Sequence, residues 1–151
     1  KRIIRALEVF YTTGKTISEH DLETKRIPPR YDACMIALSF KDRQKLYDRI
    51  DLRVDKMLEE GLVQEVQTLL NGGLSPESTA MQAIGYKEIC AYLEGKTSLL
   101  AAVELIKQAS RRYAKRQMTW LRRNPDVNWI LLDETDARPL STEFFLSHGL
   151  K

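Results

Sequence analysis

The sequence predicts an α/β chain that is mostly helical and contributes two strands to a sheet. Three observations carry that prediction. From Asp42 onward, apolar residues recur mostly three and four positions apart, the period of helices with one buried face. Two short apolar runs, YDACMIALSF (31–40) and VNWILLD (127–133), break the period and read as buried strands. The two runs lie far apart in sequence, and an isolated strand pair is marginal in water. They are therefore expected to belong to a sheet whose other strands are absent from this chain.

Taken in order, RIIRALEVFYTTGK places Ile3, Leu7, Phe10 and Tyr11 at helical spacing, with Gly14 as the stop. Residues 18–30, SEHDLETKRIPPR, are polar and end in Pro-Pro, so a loop is expected there. After the first strand, Leu46, Ile50, Val54, Met57 and Leu58 form one helical stripe. Gly61 interrupts it, and Leu62, Val66, Leu69 and Leu70 form a second. NGGLSPES (71–78) punctuates the chain. A helix is expected around Tyr86 to Leu93, and a long one from about Thr97 to Arg123, stopped by Asn124-Pro125. No strong pattern follows Asp133, so residues 134–151 read as an irregular tail. There are no internal repeats.

Composition excludes several classes. Of 151 residues, 43% are apolar and 30% charged, which predicts a globular, soluble chain and excludes disordered and fibrous ones. No apolar run approaches the ~18 residues of a membrane span, and no secretory signal opens the chain, although Lys1 reads as a fragment boundary. Cys34 and Cys90 fit no CxxC pattern and are expected to be reduced thiols of a cytoplasmic protein. His20 and His148 stand apart from any cluster of metal ligands, so no protein-built metal site is expected.

Net charge is only +3, but it is unevenly placed. From Lys107 to Arg123 there are seven cations (Lys107, Arg111, Arg112, Lys115, Arg116, Arg122, Arg123) and no acid, leaving 17 basic against 21 acidic residues elsewhere. On a helix these fall on two adjacent stripes ~100° apart and make one broad cationic face. Leu105, Ile106, Ala109, Tyr113, Trp120 and Leu121 are expected to supply the opposite, partly buried face. A solvated helix face ordinarily interleaves acids, because like charges three or four apart repel. Here the repulsion looks uncompensated, which points to a polyanion, and five arginines against two lysines suit phosphate recognition.

Weaker candidates surround it. Arg49 and Arg53 are four apart on a helix and are candidates to clamp a diphosphate, with a solvated face as the plain alternative. Arg2 and Arg5 on the first helix raise the same pair of readings. In QAIGYKE (82–88), Gly85 precedes a helix start where backbone NH groups are candidates to hold a phosphate, although a simple turn is commoner. No Ser-His-Asp set and no GxxxxGK[ST] occurs in the chain.

The strings RIIRALEVFYTTGK, LYDRIDLRVDKMLEEGLVQEVQTLL, AIGYKEICAYLEG and RRYAKRQMTWLRR, in that order, closely resemble the C-terminal half of the tRNA dimethylallyltransferase (tRNA isopentenyltransferase) family. The resemblance covers residues 1–133, and KRQxTWxR is its most specific motif. It implies a P-loop α/β fold related to small-molecule kinases, with the two strands in a parallel sheet and the helices gripping a tRNA anticodon stem-loop. It implies transfer of a dimethylallyl group from dimethylallyl diphosphate to N6 of adenosine 37, which must leave the base stack to react. Mg²⁺ assists departure of the diphosphate, and an upstream carboxylate acts as base.

By position, the resemblance assigns tRNA contact to Lys1, Arg2 and Arg5, to Gln82, Gly85, Tyr86 and Lys87, and to Lys115, Arg116, Gln117, Thr119, Trp120 and Arg122. Arg111 and Arg112 join them on the basic face, and Arg49 and Arg53 remain the diphosphate candidates. At Gln82-Ala83 some family members carry arginine and cysteine instead. The family's P-loop, its magnesium-binding hydroxyl, its catalytic aspartate and an inserted helical domain precede the position of Lys1. The expectation is a tRNA-gripping, monomeric, cytoplasmic portion of an enzyme, bound mainly through its missing half to Mg²⁺ and inactive alone. A free-standing helical nucleic-acid-binding module, or a helical protein with an acidic partner, are the rival readings.

Overall fold

The computed structural model describes residues 2–28, 30–31 and 33–134. The chain divides into two units, residues up to Ala33 and residues from Cys34 onward.

The first unit holds α1 (Arg2–Thr13) and α2 (Ile17–Arg26). Gly14 ends α1 in the left-handed region at φ 70°, its N–H donating to the Phe10 carbonyl at 2.8 Å, as its sequence position predicts. The loop expected over residues 18–30 is instead helical as far as Arg26. The reason is local and polar. Thr16 Oγ1 accepts the Glu19 N–H at 3.3 Å while the Glu19 carboxylate accepts the Thr16 N–H at 2.8 Å, a reciprocal cap. Lys15 reaches Glu23 at 2.7 Å across the first two turns. Such a helix carries little apolar periodicity, so a search for stripes misses it. It stops at Ile27, extended at φ −75° and ψ 121°, as a residue before proline must be. No residue of α1 or α2 is buried.

The second unit runs β1 (Met35–Ser39), α3 (Arg43–Glu59), α4 (Leu62–Asn71), a 3-10 turn (Ala80–Gln82), α5 (Tyr86–Leu93), α6 (Leu99–Leu121) and β2 (Val127–Leu131). The strands are parallel, in register from Met35 opposite Val127 to Ser39 opposite Leu131. Parallel neighbours need a crossover, and the four helices between them supply it. Ala37 and Ser39 of β1 and Val127 and Ile130 of β2 are buried, whereas Leu38 is about half exposed. The sheet is therefore covered over part of its surface only.

The core is helical. Val54 of α3, Leu62 and Val66 of α4, Met81 of the 3-10 turn, Ile89 and Cys90 of α5, and Val103 and Ile106 of α6 form one cluster. Gly61 allows the tight α3–α4 junction by adopting φ 102°, a conformation that side chains resist. The long helix begins at Leu99 and ends at Leu121, slightly inside the expected limits. The irregular tail expected beyond Asp133 falls, from residue 135, outside the described residues.

Asp133 ties the end of β2 to the start of α3. Its carboxylate accepts the backbone N–H groups of Asp42 at 2.9 Å and Lys41 at 2.7 Å, and these two bonds hold its pKa below the ordinary range. Asp42 in turn caps α3 through the Gln44 N–H at 2.8 Å. A carboxyl group whose pKa is lowered by folding contributes stability that is fully present above about pH 5. That contribution is lost as pH falls through about 3.9 towards the lower folded value. Urea melts between about pH 6 and pH 2 should show a steeper fall in midpoint for the wild type than for Asp133→Asn. Equal steepness would mean that the clamp adds nothing.

Candidate nucleic-acid interface

Ser98 starts α6 by accepting the Ala101 N–H at 3.2 Å, and the helix then runs for 23 residues. Its buried side begins with Ala102, Val103 and Ile106 and continues through half-buried Ser110, Ala114, Met118 and Leu121. These residues are three and four apart, so they lie on one seam. Leu105, Tyr113 and Trp120 each precede a seam residue by one position, which turns them ~100° away from it. They are accordingly exposed: Tyr113 is 48% and Trp120 66% accessible. The expectation that these three side chains face the body fails for that reason, and the small Ala114 takes the place Tyr113 was expected to fill.

The cationic run is not wholly uncompensated. Arg111 Nη1 meets both carboxylate oxygens of Asp51, at 2.6 and 2.5 Å, and Lys107 Nζ lies 2.7 Å from Asp55. Asp51 and Asp55 are four apart on α3, matching the four-residue spacing of their partners on α6. The bond to Asp55 raises the Lys107 pKa. Arg111 and Lys107 are thus inter-helix ties, and Arg111 could reach RNA only by leaving Asp51. Arg112, Lys115, Arg116, Arg122 and Arg123 are exposed and make no ion pair among the described residues. Arg116 lies over the Tyr113 ring at 5.6 Å. With Trp120, Thr119 and Arg123, Lys115 and Arg116 line an open hollow of about 330 Å³. The Thr119 hydroxyl donates to the Lys115 carbonyl at 2.9 Å, leaving its lone pairs for an incoming donor.

Beside this face lies a larger cleft of about 760 Å³. Ile50, Val54 and Met57 of α3, Ile84, and Ile106 of α6 give it an apolar floor, and Arg53, Arg116, Gln82 and Gln117 bring polar groups to it. An apolar cavity with a few convergent polar groups is the usual form of a small-ligand site. Arg49 and Arg53 are both exposed. Of these two arginines, which sequence spacing pairs, only Arg53 borders this cleft.

The QAIGYKE segment is fixed at several points. Gln82 Nε2 donates to the Pro76 carbonyl at 3.0 Å, and the Tyr86 hydroxyl donates to Glu65. That bond to Glu65 raises the phenol pKa. Gly85 takes φ 103°, and its N–H donates to Glu88 Oε2 at 2.8 Å. A carboxylate of this chain thus occupies the Gly85 N–H proposed for phosphate. Lys87 lies 3.5 Å from the other Glu88 oxygen.

Arg2 and Arg5 belong to the first unit, where Arg5 makes an exposed pair with Glu8 at 3.5 Å. Lys1 lies outside the described residues. Among the described residues no three His, Cys, Asp or Glu side chains gather to hold a metal, and no helix is long and apolar enough to cross a membrane. Sequence reading missed Asp51, Asp55, Glu65 and Glu88. The matched four-residue spacing of acids on α3 and cations on α6 was the available signal for the first two. The capping-box offset between Gly85 and Glu88 was the signal for the last.

The sequence profile of the IPP transferase family matches residues 1–124. The chain is 53% identical over 137 residues to a tRNA dimethylallyltransferase of Acetivibrio thermocellus, covering 91% of this chain and 44% of that protein. It is 50% identical over 141 residues to one from Bacillus cereus, covering 93% and 43%. The crystal structure of tRNA delta(2)-isopentenylpyrophosphate transferase from Staphylococcus epidermidis superposes with a TM-score of 0.74 at 38% identity, over 97% of this chain and 47% of the other. The full-length tRNA isopentenylpyrophosphate transferase of Bacillus halodurans gives 0.72 at 39%, over 97% and 44%. The chain spans less than half the length of these relatives and corresponds to their C-terminal part.

The α3–α6 tie has a direct test. In a double-mutant cycle of Asp51→Ala and Arg111→Ala read by urea melts, the coupling should be about 1 kcal/mol in favour of the pair. A coupling near zero would return Arg111 to the free cations.

Proposed function

The chain belongs to the IPP transferase family, and from that premise we propose that it is the RNA-gripping part of a tRNA-modifying prenyltransferase. The complete enzyme moves a dimethylallyl group from dimethylallyl diphosphate to N6 of the adenosine beside the anticodon of a tRNA. Its first half supplies the P-loop, the base and the remainder of the parallel sheet, and the enzyme works as a cytoplasmic monomer. The single observation that carries this reading is the juxtaposition at the cleft. Arg53 lies there with Arg116, Gln82 and Gln117, over an apolar floor and beside the basic face of α6.

The chemistry follows from that arrangement. The allylic chain is apolar and its diphosphate strongly anionic, so it needs an apolar wall and a nearby cation, here the α3 floor and Arg53. Donors already in place when charge develops on the departing diphosphate lower the barrier without reorganisation. The target adenine must leave its stack to meet the allylic carbon. Gln117, at the same cleft, carries an amide able to bond a displaced base, and Gln82, whose Nε2 already donates to Pro76, offers its amide oxygen. Arg112, Lys115, Arg116, Arg122 and Arg123 hold the backbone phosphates, Thr119 and Trp120 complete that surface, and Arg111 works through Asp51. Tyr86 and Lys87 extend the RNA contact of the second unit, and Arg2 and Arg5 of the first unit supply RNA contacts of their own. Mg²⁺ belongs mainly to the first half of the complete enzyme, and no step is assigned to it within this chain.

Substituting Lys115, Arg116 and Arg122 together by Ala in the complete enzyme should weaken anticodon stem-loop binding. It should also flatten the slope of log K against log salt by about two, at ~0.7 per single-strand phosphate contact. An unchanged slope, measured by fluorescence anisotropy across a salt series, would make this face a solvated one. Arg53 gives an independent test. Charge-assisted bonds contribute roughly 1.5 to 3 kcal/mol, so Arg53→Ala should lower kcat/KM for dimethylallyl diphosphate roughly ten- to a hundredfold. Arg53→Lys should be nearly as impaired, because an ammonium cannot reproduce a forked contact. Stem-loop affinity should stay constant in both. Near-wild-type kinetics for Arg53→Ala would remove the residue from the site.

A further inference from the structure

We propose that Glu88 is a positioning residue that holds the Gln82–Ile84 segment against the cleft and so sets how the displaced nucleotide is received; this rests on the prenyl-transfer reading above. Glu88 is a carboxylate only 8% exposed, an unusual place for a charged side chain without a task. One of its oxygens accepts the Gly85 N–H at 2.8 Å and the other faces Lys87 at 3.5 Å. Gly85 is the pivot. At φ 103° and ψ −55° it adopts a backbone conformation open to glycine alone, and a Cβ there would meet nothing closer than Leu62 Cδ2 at 3.9 Å. Crowding does not impose that conformation; the Gly85 carbonyl is held by the Ile89 N–H at 3.1 Å, and its N–H is held by the side chain of Glu88.

The segment that the pivot controls has two sides. Met81, fully buried, anchors one side to the core. Gln82, Ala83 and Ile84 present the other side to the cleft, across from Arg53 and Gln117. Rotation at Gly85 would move these three residues together. A misplacement of about 1 Å at a reacting centre costs up to about a hundredfold in rate. Glu88 is buried and lines neither the cleft nor the hollow beside Trp120, so it acts through Gly85.

The test uses the complete enzyme with an anticodon stem-loop RNA and dimethylallyl diphosphate. Glu88→Ala should lower kcat/KM for the RNA about tenfold or more while KM for the diphosphate stays within about twofold. Glu88→Gln, whose side-chain carbonyl still accepts the Gly85 N–H, should restore the wild-type kcat/KM for the RNA. Equal damage in the two variants, or equal loss for both substrates, would overturn the role. Should Glu88→Ala fail to fold, Glu88→Asp, one methylene too short to reach Gly85, carries the same expectation. Hydrogen exchange reads the positioning without activity. Faster exchange across residues 82–87 in Glu88→Ala, but not in Glu88→Gln, supports it, and unchanged exchange overturns it. A wild-type enzyme that transfers no prenyl group overturns the functional reading instead.

Discussion

The rotational setting of α6 against α3 is the constraint on which the second unit depends. Two things fix it. The small and medium side chains from Ala102 through Ala114 to Leu121 form one seam, and the acids Asp51 and Asp55 meet Arg111 and Lys107 in step with it. The apolar seam sets which face is inward but tolerates sliding, since one branched side chain substitutes for another. The two ion pairs do not tolerate sliding, because each acid meets its own cation four residues along. Together they leave the remaining cations outward and bring Arg116 and Gln117 to the cleft that Arg53 borders. Charge that would otherwise repel along the helix is partly neutralised from α3, which lets the free arginines crowd together further along.

Much of this was legible in the sequence. Both strands, the interruption at Gly61, the turn at Gly85 and the extent of α3 to α6 follow from apolar period and from glycine and proline placement. Those signals report a residue's own backbone needs, so they survive without knowledge of the fold. The exceptions have physical causes. The α2 helix is held by a polar cap and an ion pair, neither of which produces periodicity. Tyr113 and Trp120 were expected inward because aromatic residues usually are, yet their position one residue off the seam decides otherwise.

The site was readable in kind more than in detail. The cationic excess identified a face but could not show which cations are tied, because Asp51 and Asp55 lie 60 and 52 residues before their partners, Arg111 and Lys107. Equal spacing made Arg49 and Arg53 look alike, and only the neighbouring α6 distinguishes them. Glu88 carried no special mark beyond its offset from a glycine.

The seam gives α6 the character of a ruler. Each residue advances the helix by ~1.5 Å and turns it ~100°, so every cation beyond Arg111 has its direction fixed by how many residues separate it from that tie. Substitutions along the free face alter charge or shape at one point only. An inserted or deleted residue between Arg111 and Arg123 would swing Arg122 and Arg123 through more than a quarter turn, carrying Leu121 out of the seam at the same time. The length of this stretch is therefore under tighter physical constraint than its composition, and variation among working relatives is expected to be substitutional there and to keep its count of residues.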